Sequence, residues 1–374
     1  MRKTVRKSWS PSLLAMLSVG FAGTTLVSPA VAQETETPPI TVNGVLETNY
    51  TFNFNNPSTR NNTFLYNYRE GQLALNMAQI TIAKAATPAS RAGFTLRLVE
   101  GEVKDFTFLP DDNSIVLEAY GTFLAPLGER DLKVDVGQFV THVGYETIDV
   151  GTNNFFSRNF LFQYPSPFYN AGVRAAYPLS EKVTLTGVLY NRYNGRKDSG
   201  NRDVAPGFQV LANLNANSQL ILNGLSSREN LGTSDAPNNK QQSVLDLIYA
   251  NQFTPGFKFV TEGLYRFGKD ANDMSYDVWG VAGYFLFNTG NGSVAGLRAE
   301  YLKQNDATTV LGLPESDFHL GSVTLTYDMK NGLFPGMRTL FEYRYDYAKD
   351  PFFGGKNGLK DSQNTFTIGQ VYAF

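Results

Sequence analysis

His142 is one of two histidines in this 374-residue chain, which has no cysteine. It shares a stretch with Asp149 and Ser157, the residue types of a base, an orienting acid and a nucleophile. A hydrolase built on them needs the Ser–His pair within hydrogen-bond reach and held by a third group. Any polar loop supplies these types, so a hydrolase stays open as an alternative and nothing more. His319 is distant in sequence, starts a strand near one rim and reads as a polar wall residue. Without a thiol there is no disulfide framework, no lipidated cysteine and no thiolate metal site. The "GNG" and "FGGKNG" stretches are loop glycines, too weak to be phosphate cradles. The residues imply no metal and no cofactor.

The remaining chemistry belongs to charges at alternate positions. In "RTLFEYRYDY", Phe341, Tyr343, Tyr345 and Tyr347 alternate with Arg338, Leu340, Glu342, Arg344 and Asp346. Strict alternation puts the two sets on opposite faces of a strand. A soluble sheet would turn the charges to water and the aromatics to a core. A membrane barrel would turn the aromatics to lipid and the charges to a wet lumen. The dyad recurs: Leu132, Val134 and Val136 against Lys133 and Asp135, Leu297, Ala299 and Tyr301 against Arg298 and Glu300, Val323, Leu325 and Tyr327 against Thr324, Thr326 and Asp328. No helical period competes over a comparable stretch.

Elements that position these charges follow from the same alternation. It predicts strands over 40–54, 69–83, 91–103, 113–125, 131–141, 168–177, 181–194, 206–214, 218–226, 242–253, 256–268, 275–287, 293–304, 316–329, 336–348 and 363–374. Short connections such as "PLSE" and "TPG" alternate with longer ones rich in Asn, Asp and Gly. An even strand count with that alternation is the plan of a bacterial outer-membrane barrel, its short turns periplasmic. Its backbone must be satisfied internally, so the sheet must close. The pattern therefore predicts an all-β fold, a transmembrane antiparallel up-and-down barrel of sixteen strands. The pair within 207–228 is the weakest, and losing it gives fourteen. A soluble β-sandwich is the competing architecture.

By parity the inward cations are Arg97, Lys133, Arg174, Lys258, Arg266, Arg298, Arg338 and Arg344. The inward anions are Glu47, Glu118, Asp135, Asp246, Glu262, Glu300, Asp328, Glu342 and Asp346. Arg97, Glu118, Lys133, Asp135, Arg174, Arg298, Glu300, Arg338, Glu342 and Arg344 are the candidate pore wall. Opposed charges across a constriction order water and orient dipolar solutes, whereas a ring of one sign selects ions. Eight against nine leaves the sign of any preference open, and each charge also reads as a wall-to-wall ion pair.

The longest connection runs "HVGYETIDVGTNNFFSRNFLFQYPSPF" after the fifth strand, which makes it the third extracellular loop. A loop this long and this aromatic is not bare coil. Phe155, Phe156, Phe160, Leu161, Phe162 and Tyr164 need burial, and a sixteen-strand lumen is wide enough to receive them. The segment is expected inside the barrel, narrowing the pore, with an outer cap or subunit contact as the alternative. Tyr145, Glu146, Asp149 and Arg158 are its constriction candidates. Glu146 follows Gly144, where glycine lets the chain leave the strand, and its basic partner is Arg97, Arg174 or Arg298.

From "DVGQFVTHVGYETIDVGTNNFFSRN" to "PSPFYNAGVRAAY" the chain resembles the signature region of the putative β-barrel porin-2 (OmpL-like) family. Matching residues are Asp135, Gly137, Gln138, Phe139, Thr141, Gly144, Tyr145, Glu146, Asn153, Ser157, Pro167, Tyr169, Gly172 and Val173. The resemblance implies an outer-membrane porin and names no solute.

The ends and the composition agree with export. Arg2, Lys3, Arg6 and Lys7 precede an apolar run and Ala30-Val31-Ala32, so residues 1–32 read as a cleaved secretory signal peptide. Residues 33–39 form a short periplasmic extension, and 40–374 the barrel. Without the leader's four bases, 32 Lys+Arg become 28 against 34 Asp+Glu, a net charge of −6. That excludes a nucleic-acid partner. Phe366, Ile368, Tyr372 and Phe374 share one parity and are the expected signal to the outer-membrane barrel assembly machinery. The expected surroundings are the bilayer of a Gram-negative-type outer membrane, and a homotrimer is the candidate assembly. The sequence predicts a porin for passive diffusion of small hydrophilic solutes and ions. An occluded structural or adhesin-like barrel is the alternative.

Overall fold

Alternating residues make one sheet here because each strand has lipid-facing and inward-facing positions in turn. The computed structural model describes residues 37–374 apart from 59–62, 109–113, 234, 306–311, 315–316 and 333. The expected leader at 1–32, and most of the extension to 39, lie outside the described residues. The strands are β1 (Ile40–Asn53), β2 (Leu73–Lys84), β3 (Ala92–Glu100), β4 (Val116–Leu127), β5 (Arg130–Val140) and β6 (Tyr169–Pro178). They continue as β7 (Val183–Tyr190), β8 (Ala205–Asn215), β9 (Ser218–Asn230), β10 (Asn239–Thr254), β11 (Phe257–Lys269) and β12 (Ser275–Gly290). The last are β13 (Ser293–Gln304), β14 (Phe318–Lys330), β15 (Met337–Ala348), β16 (Phe353–Gly355), β17 (Gly358–Lys360) and β18 (Ser362–Ala373).

Sixteen of these close into an antiparallel barrel, each of β1 to β15 paired with its chain neighbours and β18 lying between β15 and β1. The closing register sets Thr51 opposite Thr367, whose hydroxyls meet at 2.9 Å. The pair within 207–228 is β8 and β9, which settles the count at sixteen rather than fourteen. β16 and β17 form a separate hairpin in the last connection.

Connections at one end are short: 85–91, 128–129, 179–182, 216–217, 255–256, 291–292 and 331–336. Asn291-Gly292 shows why, with φ of 52° and 78°, the double left-handed turn that matches the twist of a hairpin. The other end carries 54–72, 101–115, 141–168, 191–204, 231–238, 270–274, 305–317 and 349–361.

Three strands fall well short of what their alternation suggests, and the seventh, expected over 181–194, is β7 at Val183–Tyr190. The third was expected over 91–103, but β3 stops at Glu100 and α1 (Glu102–Thr107) follows Gly101, whose φ is +110°. The second was expected from 69, but β2 starts at Leu73, and Glu70 instead bridges to Thr51.

The faces divide as the parity requires. Leu325, Tyr343, Tyr345, Phe123 and Val136 are exposed on the outside, while Thr324, Glu342, Arg344 and Asp346 are buried within. Leu325 sits mid-strand on the outer face, so Leu325→Arg should lower the unfolding free energy of the bilayer-inserted barrel by ~2–4 kcal/mol. Leu325→Phe should leave it nearly unchanged. Urea titration of barrels refolded into vesicles measures both.

Candidate functional site

The segment from Thr141 to Phe168 between β5 and β6 is bonded to inward-facing side chains of most of the barrel. Past the end of β5 at Val140 the chain turns at Gly144, whose φ is +100°. Beyond that point it has no strand ladder, so its amides and carbonyls need other partners. Wall carboxylates take the amides. Asp246 accepts from Gly144 N at 2.9 Å, and Glu262 from Tyr145 N at 3.2 Å. Glu342 accepts from Phe156 N at 2.8 Å and Ser157 N at 3.0 Å, and Glu300 from Phe160 N. Glu47 accepts from Gly151 N at 3.3 Å.

Wall arginines take the carbonyls. Arg298 donates to Ser157 O at 2.8 Å, and Arg344 to Arg158 O at 2.7 Å. Arg338 donates to Gly151 O at 2.7 Å and Asn153 O at 2.8 Å. The segment also secures itself. Arg158 donates to the carbonyls of Thr147, Ile148 and Phe156. Asp149 accepts from Gly151 N at 2.6 Å and caps the 3-10 turn Val150–Thr152. Asn159 caps α2 (Phe160–Gln163) by accepting from Phe162 N at 2.6 Å.

Of the three arginines open to Glu146, the structure brings it to Arg298, at 2.7 Å. Arg298 also contacts Ser157 Oγ at 3.0 Å, Thr324 Oγ1 at 3.2 Å and Glu300 at 3.2 Å. Its guanidinium lies 4.9 Å from the Phe155 ring centroid, and that of Arg344 lies 4.7 Å from Phe160. Arg97 pairs instead with Glu118 at 3.1 Å, and Arg174 with Asp135 at 2.9 Å. Lys133 reaches the same Asp135 at 3.5 Å.

Apolar side chains of the segment seat in gaps left by wall glycines at inward positions. A Cβ at Gly296 would meet Phe155 Cζ at 2.9 Å, and one at Gly280 would meet Leu161 Cδ1 at 3.0 Å. One at Gly369 would run into the Phe156 ring. Phe155, Phe156, Phe160, Leu161 and Phe162 are all buried. Gly296 shares the parity of Arg298 and Glu300 on β13 and Gly369 that of Thr365 and Thr367 on β18, whereas Gly280 shares that of Tyr276, Val278 and Ala282 on β12.

The candidate constriction residues are therefore mostly covered. Glu146, Asp149 and Arg158 are buried, and Tyr145 is half-buried with its ring 4.7 Å from Tyr284. Among the wall candidates, Arg298, Glu300, Glu342 and Arg344 are buried beneath the segment they hold, and Arg338 is partly exposed. Arg97, Lys133 and Arg174 keep partly open side chains, while their partners Glu118 and Asp135 are buried. Phe366, Tyr372 and Phe374 are exposed and Ile368 half-exposed on the outer face.

His142, Asp149 and Ser157 are not brought together. His142 Nδ1 meets the Tyr190 hydroxyl at 3.2 Å and Nε2 the Gly224 carbonyl at 3.3 Å. Burial pushes its imidazole down to about 4, so it is neutral at pH 7. Ser157 Oγ is shared between Arg298 and Arg344.

Arg298→Gln removes the charge that balances Glu146 and Glu300, and should destabilise the barrel by ~3–5 kcal/mol, the cost of breaking a buried pair. Lys133→Gln leaves Asp135 paired with Arg174 and should cost about 1 kcal/mol or less. Denaturant midpoints, with protease sensitivity of 141–168 as a local readout, distinguish the two.

No curated protein matches the chain. Solved structures share the fold at low identity. An anion-selective porin from Comamonas acidovorans superposes with a TM-score of 0.65 at 11% identity, over 90% of this chain and 99% of that one. The trimer form of Vibrio cholerae OmpT gives 0.62 at 12%, over 91% and 100%. The outer membrane channel DcaP of Acinetobacter baumannii gives 0.61 at 10%, over 90% and 98%. The family model described as putative β-barrel porin-2, OmpL-like, matches residues 39–374. The chain therefore belongs to the putative β-barrel porin-2 (OmpL-like) family, and is an outer-membrane porin.

Proposed function

We propose that this porin is a narrow passive-diffusion channel whose aqueous path follows the inner wall of β2 to β7, with the 141–168 segment held mainly by charged side chains of β10 to β15. The supporting observation is an asymmetry of burial. Thr81, Thr95, Arg97, Lys133, Arg174 and Thr184 remain partly open on the inner face. Asp246, Glu262, Tyr284, Arg298, Thr324 and Arg344, on β10 to β15, are covered. The segment is the pore-narrowing third loop, and its burial against the wall argues against an outer cap. Turnover chemistry has no support in the placement of His142, Asp149 and Ser157.

One observation favours the occluded barrel as a second reading. Inward residues toward the longer connections are packed into apolar clusters, including Tyr66, Val99, Phe108 and Tyr169 on one side and Phe160, Val278, Leu302 and Leu320 on another. A path through that half is tight, which restricts passage to small solutes. The trimer form of OmpT makes a homotrimer the natural candidate assembly. Phe366, Ile368, Tyr372 and Phe374, outward on β18 and at its end, are the proposed contact for the assembly machinery.

Planar-bilayer recording tests the channel directly. The parent should give stable, small conductance steps, and deleting Thr152–Gln163 should raise single-channel conductance. A silent parent that conducts after the deletion would establish the occluded barrel. A deletion variant that folds and conducts like the parent would take the segment out of the path.

A further inference from the structure

We propose that the channel selects for small anions, through Arg97, Lys133 and Arg174 on the inner wall that borders the path, with Lys258 partly open on β11. The inference rests on the diffusion-channel reading and adds the class of solute to it. Counting inward charges by parity gives near balance, but the structure sorts them by depth. All nine inward carboxylates of that count, from Glu47 on β1 to Asp346 on β15, are buried. Of the eight cations, Arg266, Arg298 and Arg344 are buried, and the other five keep side chains partly open.

The sorting has a chemical cause. A carboxylate is compact and accepts several hydrogen bonds at once, so it suits the base of the wall. Asp135 accepts from Thr122 Oγ1 at 2.7 Å and Arg174 Nε at 2.9 Å, and Glu118 from Val140 N at 3.1 Å. The basic partner lies over it on a long stem, its side chain only partly covered. Arg97 and Arg174 show 22% and 14% of their side chains and Lys133 shows 27%, against 2% and 3% for Glu118 and Asp135. Across β3 to β6 the three cations outnumber those two acids. An ion moving along the wall therefore meets guanidinium and ammonium groups first, with the carboxylates behind them. Rings and strips of Arg and Lys are the lining of anion pores. The inward acid Asp131, which does reach water at the rim, is matched by Arg91 beside it.

Reversal potentials across planar bilayers under a KCl gradient test this. At low salt the parent should pass chloride in preference to potassium, and the preference should shrink toward 1 M, where screening shortens to ~3 Å. The double variant Lys133→Glu/Lys258→Glu should move the permeability ratio to or past unity, while Lys133→Arg should leave it unchanged. Should the double variant fail to fold, the parent's ratio and its salt dependence decide alone. Conductance steps with potassium preference, or with none at low salt, overturn the inference and leave the diffusion channel standing. A barrel silent in all salts overturns both.

Discussion

A backbone without a ladder, enclosed in a barrel, must find a partner for each of its amides and carbonyls. That constraint governs most of what the inner wall of this porin does. Strands satisfy themselves by pairing, and the closed register from β1 to β18 leaves no open edge. The 141–168 segment cannot pair, because it crosses the strands instead of joining them. An unmatched buried amide or carbonyl costs about 1–3 kcal/mol, and the segment has many. Glu262, Glu300 and Glu342 accept its amides, and Arg298, Arg338 and Arg344 donate to its carbonyls. The arginines carry a permanent charge, which makes their bonds stronger than neutral ones.

The wall charges thus form two populations with different physics. Those under the segment are desolvated, and they persist because each opposes another charge or a backbone dipole. Arg298, between Glu146, Glu300 and Ser157, is the centre of that network. Such a network does not add stability relative to a well-packed apolar wall. It fixes one position for the segment, since a shift of one residue would leave carboxylates facing carbonyls. The second population, Arg97, Lys133 and Arg174 above Glu118 and Asp135, meets water and is left to act on solutes.

Alternation made the barrel legible. One face of "RTLFEYRYDY" is aromatic and the other charged, and that parity survives into β15 without a slip. Boundaries were less legible where local geometry overrides alternation, as at Gly101, where β3 gives way to α1. The hairpin of β16 and β17 is three residues a side, too short for any period to register. The site was legible in its parts and not in its pairings. Sequence put Glu146 near a wall arginine but left three to choose from, because partners more than a hundred residues apart depend on how far the segment reaches across the lumen. It assigned charges to a face by parity, left out Asp131 and had no access to depth, so eight against nine looked like balance. His142, Asp149 and Ser157 share a stretch, yet each turns to a different neighbour, which spacing cannot reveal.

Salt separates the two populations in principle, and this bears on how the channel stays narrow. Screening acts through solvent, and its length at physiological ionic strength is about 8 Å. The buried bonds from Arg298 and Arg344 have no water between the partners, so ionic strength does not loosen the segment. The partly open cations meet solvent and are screened more than the buried ones. The channel's dimensions are therefore fixed by one set of charges and its interaction with ions by another, and each set can change without the other. Glycines at 280, 296 and 369 complete the division by letting Leu161, Phe155 and Phe156 seat against the wall without a charge. Packing sets how close the segment lies, the buried network sets its register, and the wet cations are left outside both.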